Sequence, residues 1–262
     1  MTDTKDSVIN DEDTVTVYSC GNYKEIVCCK HDVNKINSIR LNKNQYIDKR
    51  TQEVKEYNHH EIKSLENFKR QFKKIPRLIK GYFYGDYTER FITLTYSYIM
   101  TDPYRLPYDF KKFIRKIERR YGKCRYIYIK EPNEKGSWHI HCILKRMNGM
   151  PFNITVETVR KIWEHGYEVD VVIPYNIETL PYYFDISRYE DKKARVVYYP
   201  SYMKIYGCSE DMRIVKSRGK YKDLKPKTIE CVYKKENQHF SVDYESGEII
   251  AQCKNIYEQY RI

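Results

Sequence analysis

Apolar residues change spacing along the chain, and the changes mark its elements. From Thr14 to about Tyr57, short strand-like pieces recur, such as VTVYSC and KEIVCC. Leu65, Phe68, Phe72, Ile75, Leu78 and Ile79 then repeat at helical spacing. They predict a helix over about 64–82 with a Lys/Arg-rich outer face and a candidate kink at Pro76. The β-branched and aromatic run FITLTYS (91–97) predicts a strand. Phe110, Phe113, Ile114, Ile117 and Tyr121 predict a helix over 109–121, with Asp109 as N-cap. RYIYIKE (125–131) and WHIHCILKR (138–146) read as strands joined by a turn that holds Asn133 and Gly136. A helix over about 154–165, ended by Gly166, and a strand over 167–173 follow.

Strands outnumber helices and are joined by hairpins. The expected class is α+β: a central antiparallel sheet with helices packed on it, plus N- and C-terminal extensions. The expected division is an N-terminal extension with short strands and a basic helix (1–85), a central domain (86–205) and a basic C-terminal extension (206–262). Residues 1–14 are polar and expected to be mobile.

Charge adds a partner class. The net charge of the 262 residues is +12, and residues 1–30 are acidic on balance, so the rest carries about +15. A basic body of this size points to a polyanion, most often nucleic acid. The 28 tyrosines suit stacking on single-stranded bases, although most tyrosines in such a fold are half-buried strand residues. No apolar run is long enough for a transmembrane helix, and the acidic N-terminus lacks a signal-peptide core, so a cytoplasmic protein without a membrane partner is expected. The eight cysteines contain no Cys-x-x-Cys pair and read as reduced thiols. No phosphate-cradling glycine motif supports an ATP-driven motor.

The sharpest chemical feature is His139-Ile140-His141. In a strand, residues i and i+2 share a face, so the two imidazoles project together and can chelate a divalent metal. Trp138, Ile140, Cys142 and Leu144 then face a core. Glu131 ends the preceding strand about opposite the start of WHIHC, so one carboxylate and two imidazoles can converge. Strict alternation puts Glu131 on the face of Ile127 and Ile129, which look buried; a twist at Pro132 is the expected release, with Glu134 as the fallback ligand.

WHIHCIL resembles the His-hydrophobe-His motif of the HUH endonucleases. Glu131, eight residues before His139, resembles the third metal ligand of their replication initiators, and FITLTYS resembles their first motif. The stretches SLENFKRQFKKIPRLIKGYF, IYIKEPNEKGSWHIHCIL and YYPSYMKIYGCS extend the resemblance over about 60–220. They are similar to rolling-circle initiators of bacterial plasmids, phages and integrative elements, in the branch related to phage gene A and gene II proteins. The resemblance implies a ferredoxin- or RRM-like HUH nuclease fold for 86–205 and a metal-dependent DNA endonuclease and strand transferase. It implies Mn²⁺ or Mg²⁺ held by Glu131, His139 and His141, a 5′-phosphotyrosine intermediate and a 3′-OH primer. Its expected partners are single-stranded or hairpin origin DNA and a host helicase and polymerase, in a bacterial cytoplasm.

The family's nucleophile follows the HUH strand, usually as Tyr-x-x-Lys. Here Tyr182-Tyr183-Phe184-Asp185 occupies that region, with Asp185 where the family has Lys. Tyr182 is the first candidate and Tyr183 its rival, with Tyr199 and Tyr202 behind them. Arg188, Lys192 or Lys193 can stand in for the missing cation. Lys112, Arg115, Lys116 and Arg119 on the 109–121 helix, and Lys216 and Arg218 near the basic stretch 217–227, are the candidate DNA-binding cations, with a solvated face or loop as the alternative. Two other functions stay open: an HUH transposase or relaxase, and a non-catalytic origin-binding or repressor protein on the same fold.

Overall fold

The computed structural model describes residues 8–31, 38–42, 44–49, 51–56, 65–166, 169–178, 180–183, 194–242 and 249–262. Its elements run β1 (Thr14–Cys20), β2 (Tyr23–His31), β3 (Ser38–Arg40), β4 (Gln45–Asp48), β5 (Val54–Glu56), α1 (Leu65–Phe72), α2 (Lys74–Tyr82), β6 (Glu89–Leu94), α3 (Leu106–Tyr121), β7 (Cys124–Pro132) and β8 (Trp138–Arg146). Then come α4 (Val156–Trp163), β9 (Val169–Val172), α5 (Leu180–Tyr183), a 3₁₀ turn (Arg195–Tyr198), β10 (Tyr206–Cys208), β11 (Val215–Lys220), α6 (Tyr221–Leu224), β12 (Cys231–Val242) and β13 (Ile249–Arg261). The protein is α+β with antiparallel sheets, as expected. It divides into two compact units, one of residues 20–22 and 60–214, the other of 1–19, 23–59 and 215–262.

The first unit is built on a five-stranded sheet in the order β10-β7-β8-β6-β9. Every described pairing in it is antiparallel. Directly opposed residues share a face, so the register sorts the side chains. Tyr126, Tyr128, Ile140, Cys142, Leu144, Ile92 and Leu94 lie on one side. Phe110 of α3 packs its ring on Tyr126 and Tyr128 there, at centroid distances of 5.4 and 4.3 Å, and Phe113 meets Trp163 of α4. Ile127, Ile129, Ile143, Phe91 and Thr93 lie on the other side. Ile127, Ile129 and Ile143 are buried too, so this sheet has two apolar faces rather than one.

In the second unit the chain ends pair with each other. The order β11-β1-β2-β13-β12 sets β13 between β2 and β12. Val15, Val17, Ile26, Cys28, Ile256 and Tyr260 form its core with Ile9 and Tyr221. Ile9 is therefore a core residue, and Tyr221 and Lys222 donate their amides to the carbonyls of Asp13 and Asp11; this ties down residues 9–13 of the stretch 1–14 expected to be mobile, while residues 1–7 lie outside the described residues. β3, β4 and β5 make a separate three-stranded sheet.

Several boundaries move for local reasons. The helix expected over 64–82 is two helices, broken at Lys73, with Pro76 inside the first turn of α2, where its missing N–H costs nothing. α3 begins at Leu106 rather than at Asp109, because Pro107 is tolerated in a first turn. Asp109 is buried and accepts hydrogen bonds from Tyr96 Oη (3.1 Å) and Arg105 Nε (3.2 Å) instead of capping. α4 is capped by Thr155 and ends at Glu164 in the left-handed region (φ 65°), ahead of Gly166.

Candidate metal centre

Glu131, His139 and His141 sit on the hairpin β7–β8. Glu131 lies directly opposite His139, and Ile129 opposite His141. The alternation expected to hide Glu131 beside Ile127 and Ile129 is what delivers it, since that face is also the histidine face. No twist at Pro132 is needed; Pro132 pairs with Trp138 and ends the strand in register. Asn133 Oδ1 accepts the amides of Lys135 and Ser137 and closes the turn.

The three side chains converge. Nε2 of His139 lies 2.9 Å from Nε2 of His141, which is 3.6 Å from Glu131 Oε2. One ligand atom from each residue falls within 4.8 Å of the others. Two ligands held at about 2.1 Å and at right angles on one ion lie ~3 Å apart, so these spacings fit a single divalent ion. Thr93, opposite His141 on β6, has its Oγ1 3.1 Å from His141 Nδ1. With the proton on Nδ1, that hydroxyl accepts it and the Nε2 lone pair faces the cluster. Phe91 stacks on the His141 ring at 5.8 Å. Glu131 and His141 are buried and His139 is half-buried. Glu134, the fallback ligand, lies outside the cluster with its side chain 81 % exposed.

Two residues from far along the chain complete the site: Arg195, which no spacing in the sequence announces, and Tyr199, expected only as a reserve nucleophile. Arg195 Nη1 lies 3.3 Å from Glu131 Oε1, and its Nη2 3.6 Å from Glu134 Oε1. Tyr199 donates its hydroxyl to the carbonyl oxygen of Lys130, at 3.1 Å. Its ring meets Trp138 and Phe68 edge-on. Burial, helped by the Glu131 charge, pushes the Tyr199 phenol well above its ordinary pKa. Tyr199 thus supports the strand end, which is a poor setting for a nucleophile, whereas Tyr202 is fully open to solvent. The 3₁₀ turn Arg195–Tyr198 precedes both residues in the chain.

The backbone of Tyr182 and Tyr183 forms the end of α5, with Pro181 in its first turn. Their side chains, and Asp185, Arg188, Lys192 and Lys193, lie outside the described residues. Leu180, which opens α5, lines a cavity together with Phe91, Val172, Pro174 and Tyr175.

The candidate DNA-binding cations on α3 are not gathered at this cluster. Lys112, Arg115 and Arg119 are exposed on α3, which packs on the opposite sheet face from the cluster. Lys116 is paired with Glu164 at 2.6 Å. Lys216 and Arg218 are exposed on β11, the edge strand of the second unit, opposite Tyr18 and Thr16. Among the described residues no helix is long and apolar enough to cross a membrane.

Residues 89–193 match the family model of the replication-associated proteins of the ORF2 and gene II protein type. The matched stretch begins at β6, contains Glu131, His139 and His141, and ends two residues before Arg195. It supports a protein of the replication-initiator type, with DNA as partner. No curated protein and no solved structure matches the chain.

Proposed function

We propose that the protein is a replication initiator that nicks single-stranded origin DNA and keeps the cut end on a tyrosine. The observation that carries this reading is the convergence of Glu131, His139 and His141 within 4.8 Å on one sheet face, inside the stretch matched by the replication-associated family. Glu131 Oε2 and the two Nε2 atoms would hold a divalent ion, Mn²⁺ or Mg²⁺, the imidazoles tilting the preference toward Mn²⁺. When bound, that ion would polarise the scissile phosphate and offset charge on its non-bridging oxygens.

The remaining work falls to the chain. Thr93 fixes the His141 tautomer, and Phe91 holds the ring in plane. The sheet face presets the ligands, with Glu131 and His141 buried and His139 half-buried. Tyr182, with Tyr183 as rival, would attack the phosphorus in line; its hydroxyl loses a proton, the P–O3′ bond breaks, and the 3′-oxygen leaves as the primer hydroxyl. The phosphotyrosine conserves bond energy, so later rejoining requires no ATP. α5 begins at Leu180 beside Phe91, and Phe91 stacks on His141; this neighbourhood supports a nucleophile carried on α5. Lys112, Arg115, Arg119, Lys216 and Arg218 would hold backbone phosphates.

The test is incubation with a short single-stranded oligonucleotide and Mn²⁺, followed by denaturing electrophoresis and peptide mapping of the adduct. The reading expects a covalent adduct mapped to Tyr182, lost in Tyr182→Phe while oligonucleotide binding is kept. An adduct that persists in Tyr182→Phe and vanishes in Tyr183→Phe moves the nucleophile by one residue. Oligonucleotide binding with no metal-dependent cleavage would favour a non-catalytic origin binder. Cleavage without support of a circular origin plasmid would favour a transposase or relaxase.

A further inference from the structure

We propose that Arg195 is a positioning residue that makes Glu131 a one-oxygen metal ligand and thereby sets the site against calcium. The inference rests on the metal reading above and extends it to ion selectivity. The guanidinium takes one carboxylate oxygen, Oε1, at 3.3 Å, while Oε2 faces His141 at 3.6 Å. Both partners are nearly closed off, with side chains 14 % and 6 % exposed, so this pair is poorly screened by solvent.

Arg195 is itself held. The 3₁₀ turn that begins with it grips the β7–β8 hairpin at several points. Tyr198 Oη donates to the Glu134 carbonyl at 3.3 Å, and Arg195 Nη2 reaches the Glu134 carboxylate at 3.6 Å. Gly136 (φ 75°) lies under the Tyr198 ring, so closely that a Cβ there would come within 2.8 Å of Cε1. Tyr199 binds the Lys130 carbonyl and packs on Trp138. The segment therefore contacts the hairpin before, within and after its turn. A guanidinium anchored in this way cannot swing aside cheaply.

The consequence follows from ion chemistry. Ca²⁺ gathers six to eight oxygens at about 2.3–2.6 Å and commonly takes both oxygens of a carboxylate. Smaller octahedral ions accept one oxygen at about 2.0–2.1 Å. Two-oxygen ligation by Glu131 would bring the ion onto Oε1, the oxygen that Arg195 holds, and weaken that pair in a buried setting, whereas one-oxygen ligation through Oε2 leaves it intact. The positive charge of Arg195 opposes all dications alike. That effect cancels in a ratio of affinities, but the geometric effect does not.

The test titrates the full chain with Mn²⁺ alone, following free Mn²⁺ by electron paramagnetic resonance, and then displaces it with Ca²⁺. The wild type should bind Mn²⁺ at a site lost in His139→Ala and prefer it to Ca²⁺. Arg195→Gln should narrow the Mn²⁺/Ca²⁺ affinity ratio by about 10-fold or more, the range seen when partners of metal ligands are removed. If Arg195→Gln fails to fold by its thermal transition, Arg195→Met, which keeps the aliphatic packing, should show the same shift. A folded variant with the wild-type ratio overturns the proposal and leaves the metal site standing. A wild type that binds no Mn²⁺ through His139 overturns the metal reading as well.

Discussion

At His141 the candidate site and the core are the same material. Its ring is buried, stacked on Phe91, and within hydrogen-bond reach of Thr93. His139 is only half-buried. The two alanine variants should therefore part in stability but agree in activity. His141→Ala is expected to cost about 1–3 kcal/mol by urea unfolding, the range for opening a hole in packed structure, and His139→Ala distinctly less. Both should abolish Mn²⁺-dependent adduct formation. Wild-type cleavage by the double variant would refute the ligand assignment. The His-x-His pair and its acidic neighbour are legible in the sequence because strand alternation is a strict rule. Thr93 lies in FITLTYS, which resembles the family's first motif, and Tyr199 is a candidate by type, but their contacts with the cluster, and Arg195 altogether, are not legible, because register and tertiary contact bring them in and neither leaves a local trace. The concern over Glu131 comes from assuming one apolar face; the β7–β8 sheet has two.

Among the elements, α3 shows where pattern reading succeeds and where it fails. Its buried stripe, Phe110, Phe113, Ile114 and Ile117, follows the helical period and is plain in the sequence. Its start is not, because Asp109 looks like a cap, while the residue is a buried acceptor for Tyr96 and Arg105 near His165. The difference has a measurable size. Loss of a surface N-cap costs about 1 kcal/mol. Removal of Asp109 instead takes the acceptor from the half-buried Tyr96 hydroxyl and from Arg105 Nε, two hydrogen bonds worth about 1–1.5 kcal/mol each. Asp109→Ala should thus lower stability by about 2–3 kcal/mol in equilibrium denaturation. A loss near 1 kcal/mol would mean that Asp109 acts only as a helix-end residue.

For the whole molecule, charge governs both stability at high pH and binding. Burial pushes the Cys28 thiol up to about 11 and those of Cys20 and Cys124 to about 12. An unfolded thiol ionises near 8.5. Folded values above the unfolded one mean that the unfolded chain sheds these protons first. Stability from these groups is intact below about pH 8.5 and falls as pH rises toward 12, so the urea midpoint should drop between pH 8 and 10.5. An unchanged midpoint would show that these thiols are not closed off. Binding gives the second prediction, and the fold sharpens it. With a net charge of +12, contact with roughly 4–8 phosphates is reasonable, which gives a log–log salt slope of about −3 to −6 on single strands. Lys112, Arg115 and Arg119 are exposed on α3 across the sheet from Glu131, His139 and His141, while Lys116 is occupied by Glu164. Reversing the first three charges should weaken oligonucleotide binding and flatten the salt slope by about 2, one increment of ~0.7 per lost phosphate. It should leave Mn²⁺ affinity as it was, since a sheet separates the helix from the ligands. Reversing Lys216 and Arg218 on β11 should act on the salt slope in the same way. If both sets leave the slope unchanged, the DNA path does not use these cations. If the α3 reversal also lowers Mn²⁺ affinity, the helix and the metal cluster are coupled through the sheet in a way that their opposite faces do not provide.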